Sequence, residues 1–356
     1  MEREMRLMKG NEAIAEAAIR CGVDAYFGYP ITPQSEIIEY LAHENPYKRT
    51  GMVVLQAESE TAAINMVYGA AGCGKKAMTS SSSPGISLKQ EGISYLACAE
   101  LPCLIVNVVR GGPGLGTIQP SQSDYFQAVK GGGHGDYHII VLAPSSVQEQ
   151  YDFVELSYDL AFKYRNPVMI LSDGAMGQMM EKVFVSEQKP RSNEKLPWAT
   201  TGKTKDRERH FITSLYLKTD VMEQKNIALQ AKYGVIKDNE VRFEEIQTED
   251  ADYIIVAYGI SARISMKVIE LARAEGIKLG MLRPITLWPF PSKRLSELAS
   301  KTKGMLAVEM SSGQMVEDVR LAVNGKVPVE HYGRMGGAVS SPLEVLDNFK
   351  SLLLKS

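Results

Sequence analysis

Four short clusters in the first third of the chain carry side chains suited to binding anions and moving protons. Tyr29-Pro30-Ile31-Thr32-Pro33 offers a hydroxyl, and Ala57-Glu58-Ser59-Glu60 offers carboxylates. Ser81-Ser82-Ser83-Pro84-Gly85 offers a serine cluster, and Arg110 opens a glycine loop, Gly111-Gly112-Pro113-Gly114-Leu115-Gly116. A carboxyl group exchanges protons, and a planar guanidinium fork matches a planar carboxylate. Each residue also has a plainer role. Thr32 reads as a helix cap with Pro33 at the first helical position. Glu60 falls in a first helical turn, where a carboxylate complements the dipole. Arg110 alone reads as a solvated strand end. The glycine loop is not G-x-G-x-x-G and runs into Ile118-Gln119-Pro120-Ser121, so it is a poor dinucleotide fingerprint.

The case for chemistry rests on what precedes each cluster. Apolar runs at Asp24 to Tyr29, Met52 to Gln56, Ala77 to Ser80 and Leu104 to Val109 read as strands separated by helical patterns, the signature of a parallel sheet wrapped by helices. Ligands bind such sheets outside the carboxyl ends of the strands. All four clusters then share one edge. Further strands are expected at His138 to Leu142 and Pro167 to Leu171, with a helix from Ser146 to Tyr164 between them. Alternation restarts at Asp252 to Ala257 and continues through Lys278 to Leu282 and Met305 to Glu309, closing with an amphipathic helix from Pro342. The fold class is α/β, two doubly wound parallel-sheet domains joined by a charged connector. Of the 70 residues from Glu181 to Asp250, 26 are charged, 13 of each sign, as expected of a solvated connector.

Composition narrows the function. The chain has 356 residues, 44% hydrophobic and 23% charged, enough for a sizeable core in about two domains. Lys plus Arg is 40 and Asp plus Glu 42, so a nucleic-acid partner is not expected. No apolar stretch reaches the roughly 18 residues of a membrane helix, and the start Met1-Glu2-Arg3-Glu4 lacks a signal-peptide core, so a cytoplasmic protein without membrane contact is expected. Cys21, Cys73, Cys98 and Cys103 are scattered, without the spacing of an iron–sulfur or zinc site.

With these residues in view the chain resembles the alpha subunit of 2-oxoacid:ferredoxin oxidoreductases. The likeness is carried by Gly28 to Pro33, Glu58-Ser59-Glu60 before Ala62-Ala63 and Gly69-Ala70, Ser81 to Gly85, the Arg110 loop, His210 to Thr213, and Leu282-Arg283-Pro284-Ile285-Thr286-Leu287-Trp288-Pro289-Phe290-Pro291. Gly131 to Asp136 is similar to the branched-chain, 2-oxoisovalerate (3-methyl-2-oxobutanoate) type. The resemblance implies oxidative decarboxylation of a 2-oxo acid on thiamine diphosphate, transfer of the acyl group to coenzyme A, and delivery of electrons to ferredoxin. It implies a pyrimidine-binding domain at residues 1–190, a connector at 191–249 and a transketolase C-terminal-like domain at 250–356. By motif register, Glu60 matches the carboxyl group that makes the cofactor's aminopyrimidine its own base, with Glu58 as fallback. The resemblance also implies that Pro30 and Ile31 join Glu60 in contacting the cofactor and that Thr32 and Arg110 bind the substrate.

The resemblance also implies an incomplete site. No Gly-Asp-Gly with a following Asn is present to hold Mg²⁺ and the diphosphate; Ser172-Asp173-Gly174 matches it only superficially. A beta subunit is expected to supply Mg²⁺, diphosphate contacts and an iron–sulfur cluster, with gamma and ferredoxin-like delta subunits completing the assembly. Lesser candidates are His134 facing the substrate, Ser81 to Ser83 lining the pocket, and Glu309 to Gln314 meeting coenzyme A or a partner. Met176, Met179 and Met180 read as core or interface packing. The rival readings are the same chemistry on 2-oxoglutarate or pyruvate, a non-oxidative transketolase-like transferase subunit, and a non-catalytic scaffold.

Overall fold

The computed structural model describes residues 4–354 apart from 193, 204 and 206. Along the first half run β1 (Glu4–Lys9), α1 (Gly10–Arg20), β2 (Ala25–Gly28), α2 (Ser35–Glu44), α3 (Pro46–Thr50), β3 (Val53–Gln56), α4 (Glu60–Gly72), β4 (Ala77–Ser81), α5 (Ser83–Cys98) and β5 (Leu104–Val109). β6 (Ile140–Leu142), α6 (Val147–Tyr164), β7 (Val168–Asp173), α7 (Gly174–Gln178) and β8 (Met180–Val185) follow. The second half contains α8 (Thr219–Asn239), β9 (Phe243–Ile246), β10 (Tyr253–Ala257), α9 (Gly259–Ala274), β11 (Leu279–Pro284), β12 (Thr286–Trp288), α10 (Ser292–Ala299), β13 (Gly304–Glu309), α11 (Met315–Val323), β14 (Val329–Gly333) and α12 (Pro342–Phe349).

Two sheets organise these elements. The first has seven strands in the order β12-β6-β7-β5-β4-β2-β3, parallel except for β12. Its middle strand β5 is buried along its whole length, which is why its sequence shows no polar alternation. The second has five strands, β14-β13-β10-β11-β9, parallel except for β9. β1 and β8 form a separate antiparallel pair. Helix starts follow side-chain chemistry. Ser59 and Ser146 accept from the backbone N–H groups of Ala62 and Glu149, and Ser341 with Glu344 forms a capping box at α12.

Three expectations change. Thr32 does not cap α2. The Gln34 N–H bonds the Ile31 carbonyl at 3.0 Å, closing a turn, and the helix starts at Ser35. The segment read as connector is partly built into the sheets. β9 is an edge strand of the second sheet, and α8 buries Leu229, Tyr233 and Ile236. Finally, β12, embedded in the second sequence segment, pairs antiparallel with β6 of the first sheet, so that sheet is not wholly parallel.

The halves are tied by buried polar contacts. Gln122 accepts from Ser261 Oγ at 2.7 Å and from the Met310 N–H at 2.9 Å, and donates to the Tyr258 carbonyl at 2.9 Å. Arg283 forks onto Glu149 at 2.7 and 2.9 Å. Asp173 caps α7, accepting from Ala175 and Met176, and also bonds the backbone of Ile260 in the first turn of α9. Burial pushes its carboxyl up to about 6, against the pull of those backbone bonds. A carboxyl that holds its proton more tightly folded than unfolded stabilises the fold at low pH. That stability is lost as pH rises from about 4 through about 6. We therefore expect the stability of wild type minus that of Asp173→Asn to fall by about 2–3 kcal/mol between pH 4 and pH 7. Urea titrations across that range check this, and parallel curves for the two proteins would contradict it.

Candidate functional site

Glu60 is the best-defined element of the site. The Ser59 hydroxyl accepts from the Ala62 N–H at 3.2 Å, which starts α4 at Glu60 and turns its side chain inward. Glu60 is 7% exposed. It lies against the first turns of α5, where Gly85 makes room. A Cβ at Gly85 would lie 2.7 Å from Glu60 Oε1 and would overlap Ser81 Oγ. Glu58 is exposed and accepts from the Ser59 hydroxyl at 2.9 Å. Of the two acids, only Glu60 turns toward the strand ends.

Arg110 follows the last residue of β5 and is also buried. Its Nη1 donates to the Thr32 carbonyl and its Nη2 to the Leu115 carbonyl, both at 2.9 Å. These two bonds join the loop after β2 to the glycine loop after β5, and they aim the guanidinium. Three of its five N–H donors remain, and Nε has no partner among the described residues. Ser83 anchors the backbone: its hydroxyl accepts from the Arg110 N–H at 3.0 Å and donates to the Arg110 carbonyl at 3.2 Å. Thr32 and Pro30 are exposed and Ile31 is half-buried, so this turn presents its side chains outward beside Arg110.

Ser81 Oγ and Ser82 Oγ are buried without a hydrogen-bond partner among the described residues. Buried polar atoms are nearly always satisfied. Three such atoms, two hydroxyls and Arg110 Nε, gather at one edge and make it the candidate ligand site. A carboxyl group, hydroxyls and an anion fork suit a heteroaromatic ring together with a small anionic substrate. Among the described residues no group of three His, Cys, Asp or Glu side chains is arranged to hold a metal ion. Asp173 has its carboxylate occupied by backbone N–H groups.

Several supporting residues were not anticipated. Lys89 is fully buried in α5 and donates to Thr79 Oγ1 at 2.8 Å. Burial pulls its ammonium down to about 8, opposed by the negative charge of Glu60. Gly85 and Lys89 lie one turn apart on α5, and Thr79 and Ser81 two apart on β4, so the Lys89–Thr79 pair forms a layer beside Glu60 and Ser81. A lysine at three residues from Ile86 and four from Ile93, on an apolar stripe, was the available signal. Asn107 receives the Ser83 N–H at 3.2 Å and donates to Asp124 at 2.9 Å. Burial raises the Asp124 carboxyl, against hydrogen bonds from Asn107 and Ser83.

Other candidates lie elsewhere. His134 is exposed and packs edge-on to Tyr95, about three turns along α5 from Ser83. Glu309 is buried and accepts from the N–H groups of Gln314, Met315 and Val316, a strand-to-helix turn that caps α11. Met176 packs with Ile260 and Met310 between the halves.

Comparison with known proteins identifies the family. Residues 16–250 match the family described as pyruvate flavodoxin/ferredoxin oxidoreductase, thiamine diphosphate-binding, and residues 251–345 match pyruvate:ferredoxin oxidoreductase core domain II. The chain is 51% identical to the ketoisovalerate oxidoreductase subunit VorB of Methanothermobacter thermautotrophicus, covering 98% of this chain and 97% of that one. It is 37% identical to the 2-oxoglutarate synthase subunit KorA of the same organism, covering 97% and 98%. The solved 2-oxoglutarate:ferredoxin oxidoreductase from Magnetococcus marinus, with 2-oxoglutarate, coenzyme A and succinyl-CoA bound, superposes with a TM-score of 0.87 at 28% identity. That match covers 98% of this chain and 65% of the solved one. A split-gene transketolase, an inactive beta4 tetramer, shares the fold at a TM-score of 0.62 and 15% identity over 98% of both chains.

The packing at Gly85 is testable without ligand. Gly85→Ala forces a methyl group between Ser81 and Glu60 and is expected to cost about 1–3 kcal/mol. Gly69→Ala, in α4 with nothing within 4 Å of the new carbon, should be neutral or stabilising by up to about 1 kcal/mol. Denaturation midpoints of both variants decide, and equal midpoints would remove Gly85 from the argument.

Proposed function

The chain belongs to the pyruvate flavodoxin/ferredoxin oxidoreductase family, and from that premise we propose that it is the pyrimidine-binding subunit of a thiamine-diphosphate-dependent 2-oxoacid:ferredoxin oxidoreductase acting on 3-methyl-2-oxobutanoate and related branched-chain 2-oxo acids. In this reading the acyl product leaves as a coenzyme A thioester and electrons pass to ferredoxin. A beta subunit supplies Mg²⁺, the diphosphate contacts and an iron–sulfur cluster, and gamma and delta subunits complete a cytoplasmic complex. None of the described helices is long and apolar enough to cross a membrane. Residues 1–190 carry the pyrimidine-binding unit and 250–356 the transketolase C-terminal-like unit, with β9 of the connector joined to the second sheet and β12 lent to the first.

The observation that carries the proposal is the buried Glu60 carboxyl on the same strand-end edge as the incompletely bonded Arg110 guanidinium. Thiamine diphosphate, when bound, supplies the centre at which a 2-oxo acid loses carbon dioxide. Glu60 would hold the aminopyrimidine at its ring nitrogen and would share a proton with it there. Its burial strengthens that bond, because a low-dielectric surrounding screens it weakly. Gly85 leaves room for the carboxyl group. Pro30 and Ile31 offer an apolar turn for the ring, and Thr32 offers a hydroxyl to the substrate. Arg110, aimed by the Thr32 and Leu115 carbonyls, takes the substrate carboxylate. Leu115 and Ile118 on the Arg110 loop are 80% and 57% exposed. Such apolar surface suits a branched aliphatic side chain better than a second carboxylate, which favours the branched-chain substrate over 2-oxoglutarate.

Glu60→Gln in the assembled complex is expected to lower turnover at least about 100-fold while substrate affinity stays close to wild type. Unchanged turnover would leave only a scaffold role. Arg110→Lys is expected to raise the KM for the 2-oxo acid by about tenfold or more, since a point charge does not reproduce a planar fork. A panel of 3-methyl-2-oxobutanoate, 2-oxoglutarate and pyruvate ranks the substrates, and a higher kcat/KM for 2-oxoglutarate would reverse the assignment.

A further inference from the structure

The Arg110 loop is a lasso. At its neck the Gly111 N–H donates to the Gln119 carbonyl at 2.9 Å, the Thr117 N–H donates to the Gly111 carbonyl at 2.8 Å, and Arg110 and Pro120 form an isolated antiparallel bridge. The lasso places the Leu115 carbonyl that aims Arg110 Nη2. What holds the lasso comes from the other half of the chain. A Cβ at Gly111 would lie 2.9 Å from Gly336 C and 2.9 Å from Gly337 N. A Cβ at Gly337 would lie 2.5 Å from Gln119 Cβ and 3.0 Å from Thr117 Cγ2. Gly336 and Gly337 belong to the segment between β14 and α12, and Gly337 has φ +96°, a conformation in which an L side chain is strained. Backbone is therefore packed directly on backbone at the neck of the loop. Just beyond it, Gln122 is fixed to Tyr258, Ser261 and Met310.

We infer that Gly336-Gly337 of the second half is a brace that positions the Arg110 guanidinium, so that the second sheet domain sets affinity for the substrate carboxylate without touching substrate. This rests on the reading of Arg110 as the carboxylate-binding residue. Gly337 is a positioning residue. A methyl group there pushes on Gln119 and Thr117, and the displacement passes through the lasso to the Leu115 carbonyl and the guanidinium. A fork held off its planar target loses bidentate contact, while the Glu60 side of the site keeps its own supports in α4, β4 and α5.

The test compares Gly337→Ala, Gly325→Ala and Arg110→Lys in the assembled complex, with 3-methyl-2-oxobutanoate as substrate and thiamine diphosphate affinity measured separately. Gly325 has φ +74° and nothing within 4 Å of an added Cβ, so its variant also places an L side chain at positive φ in the same half of the chain, away from the lasso. Gly337→Ala should raise KM about tenfold with kcat and thiamine diphosphate affinity within about twofold of wild type, because weakening one charge-assisted hydrogen bond of a bidentate contact costs about tenfold in affinity. Gly325→Ala should leave KM unchanged. Gln119→Gly removes the nearer of the two side chains that the new methyl group meets and leaves Thr117 Cγ2 at 3.0 Å, so the double variant Gln119→Gly/Gly337→Ala should regain part of the lost affinity, as expected for residues in contact. If Gly337→Ala fails to assemble, the double variant is read instead, with Thr117 Cγ2 still against the new methyl group: a KM above wild type supports the brace and a wild-type KM overturns it. An unchanged KM in Gly337→Ala beside a raised KM in Arg110→Lys overturns the brace and spares the Arg110 assignment. Unchanged KM in both overturns the assignment and the brace with it. Equal losses in Gly337→Ala and Gly325→Ala also overturn it, since the effect is then general to the domain.

Discussion

A carboxylate and a guanidinium placed on one sheet edge attract each other strongly once water is displaced, and this site requires that they stay apart. Had Glu60 and Arg110 closed into an ion pair, neither would be available to a ligand. The fold prevents it with neutral groups. Arg110 is drawn to the Thr32 and Leu115 carbonyls, which orient it without cancelling its charge. Glu60 is lodged between α4 and α5 in space left by Gly85, where the opposite charge acting on it is that of Lys89. Acid and cation therefore remain separate tools. The surrounding architecture follows from the need to hold those two placements.

That need explains why the second sheet is joined so intimately to the first. A few surface contacts would suffice to keep two domains near each other. Instead β12 leaves its own half and pairs with β6, Gln122 has its side-chain amide satisfied by three groups across the boundary, and Asp173 caps helices from both sides. Loops that bear ligand-binding groups are ordinarily the least constrained parts of a protein. Here the four-glycine loop after β5 is packed at its neck against Gly336 and Gly337 of the other half.

How much of this was legible in sequence depended on whether the cause was local. Strands that end in polar clusters announce themselves through periodicity, so the edge uniting Thr32, Glu60, Ser81 and Arg110 was readable, and the buried run Leu104 to Val109 was correctly read as central. Thr32 was misplaced as a cap because a Thr-Pro pair satisfies the local rule equally well in a turn that precedes the helix. The choice between Glu58 and Glu60 turned on a helix start fixed by Ser59 and on a missing Cβ on another helix. β12 was hidden because three residues beside Pro289 carry almost no strand signal, and its partner β6 lies some 145 positions earlier. Lys89 escaped notice because burial of a lysine depends on Thr79 and Glu60, which its own neighbours in sequence do not reveal.

The orphaned atoms complete the argument. Leaving a buried hydroxyl or N–H without a partner costs about 1–3 kcal/mol, and this chain leaves Ser81 Oγ, Ser82 Oγ and Arg110 Nε so at a single edge. A stability-optimised fold would replace such serines with alanine or bond them internally, as Ser80 is bonded to Tyr26 and Gln34 one residue earlier. Their persistence beside a carboxyl group that is buried yet unpaired by arginine makes sense when the bonds are completed by what binds there. The chain keeps these unsatisfied groups together with Glu60 and Arg110 at one strand-end edge, and a ligand that completed their bonds there would return the stability forgone.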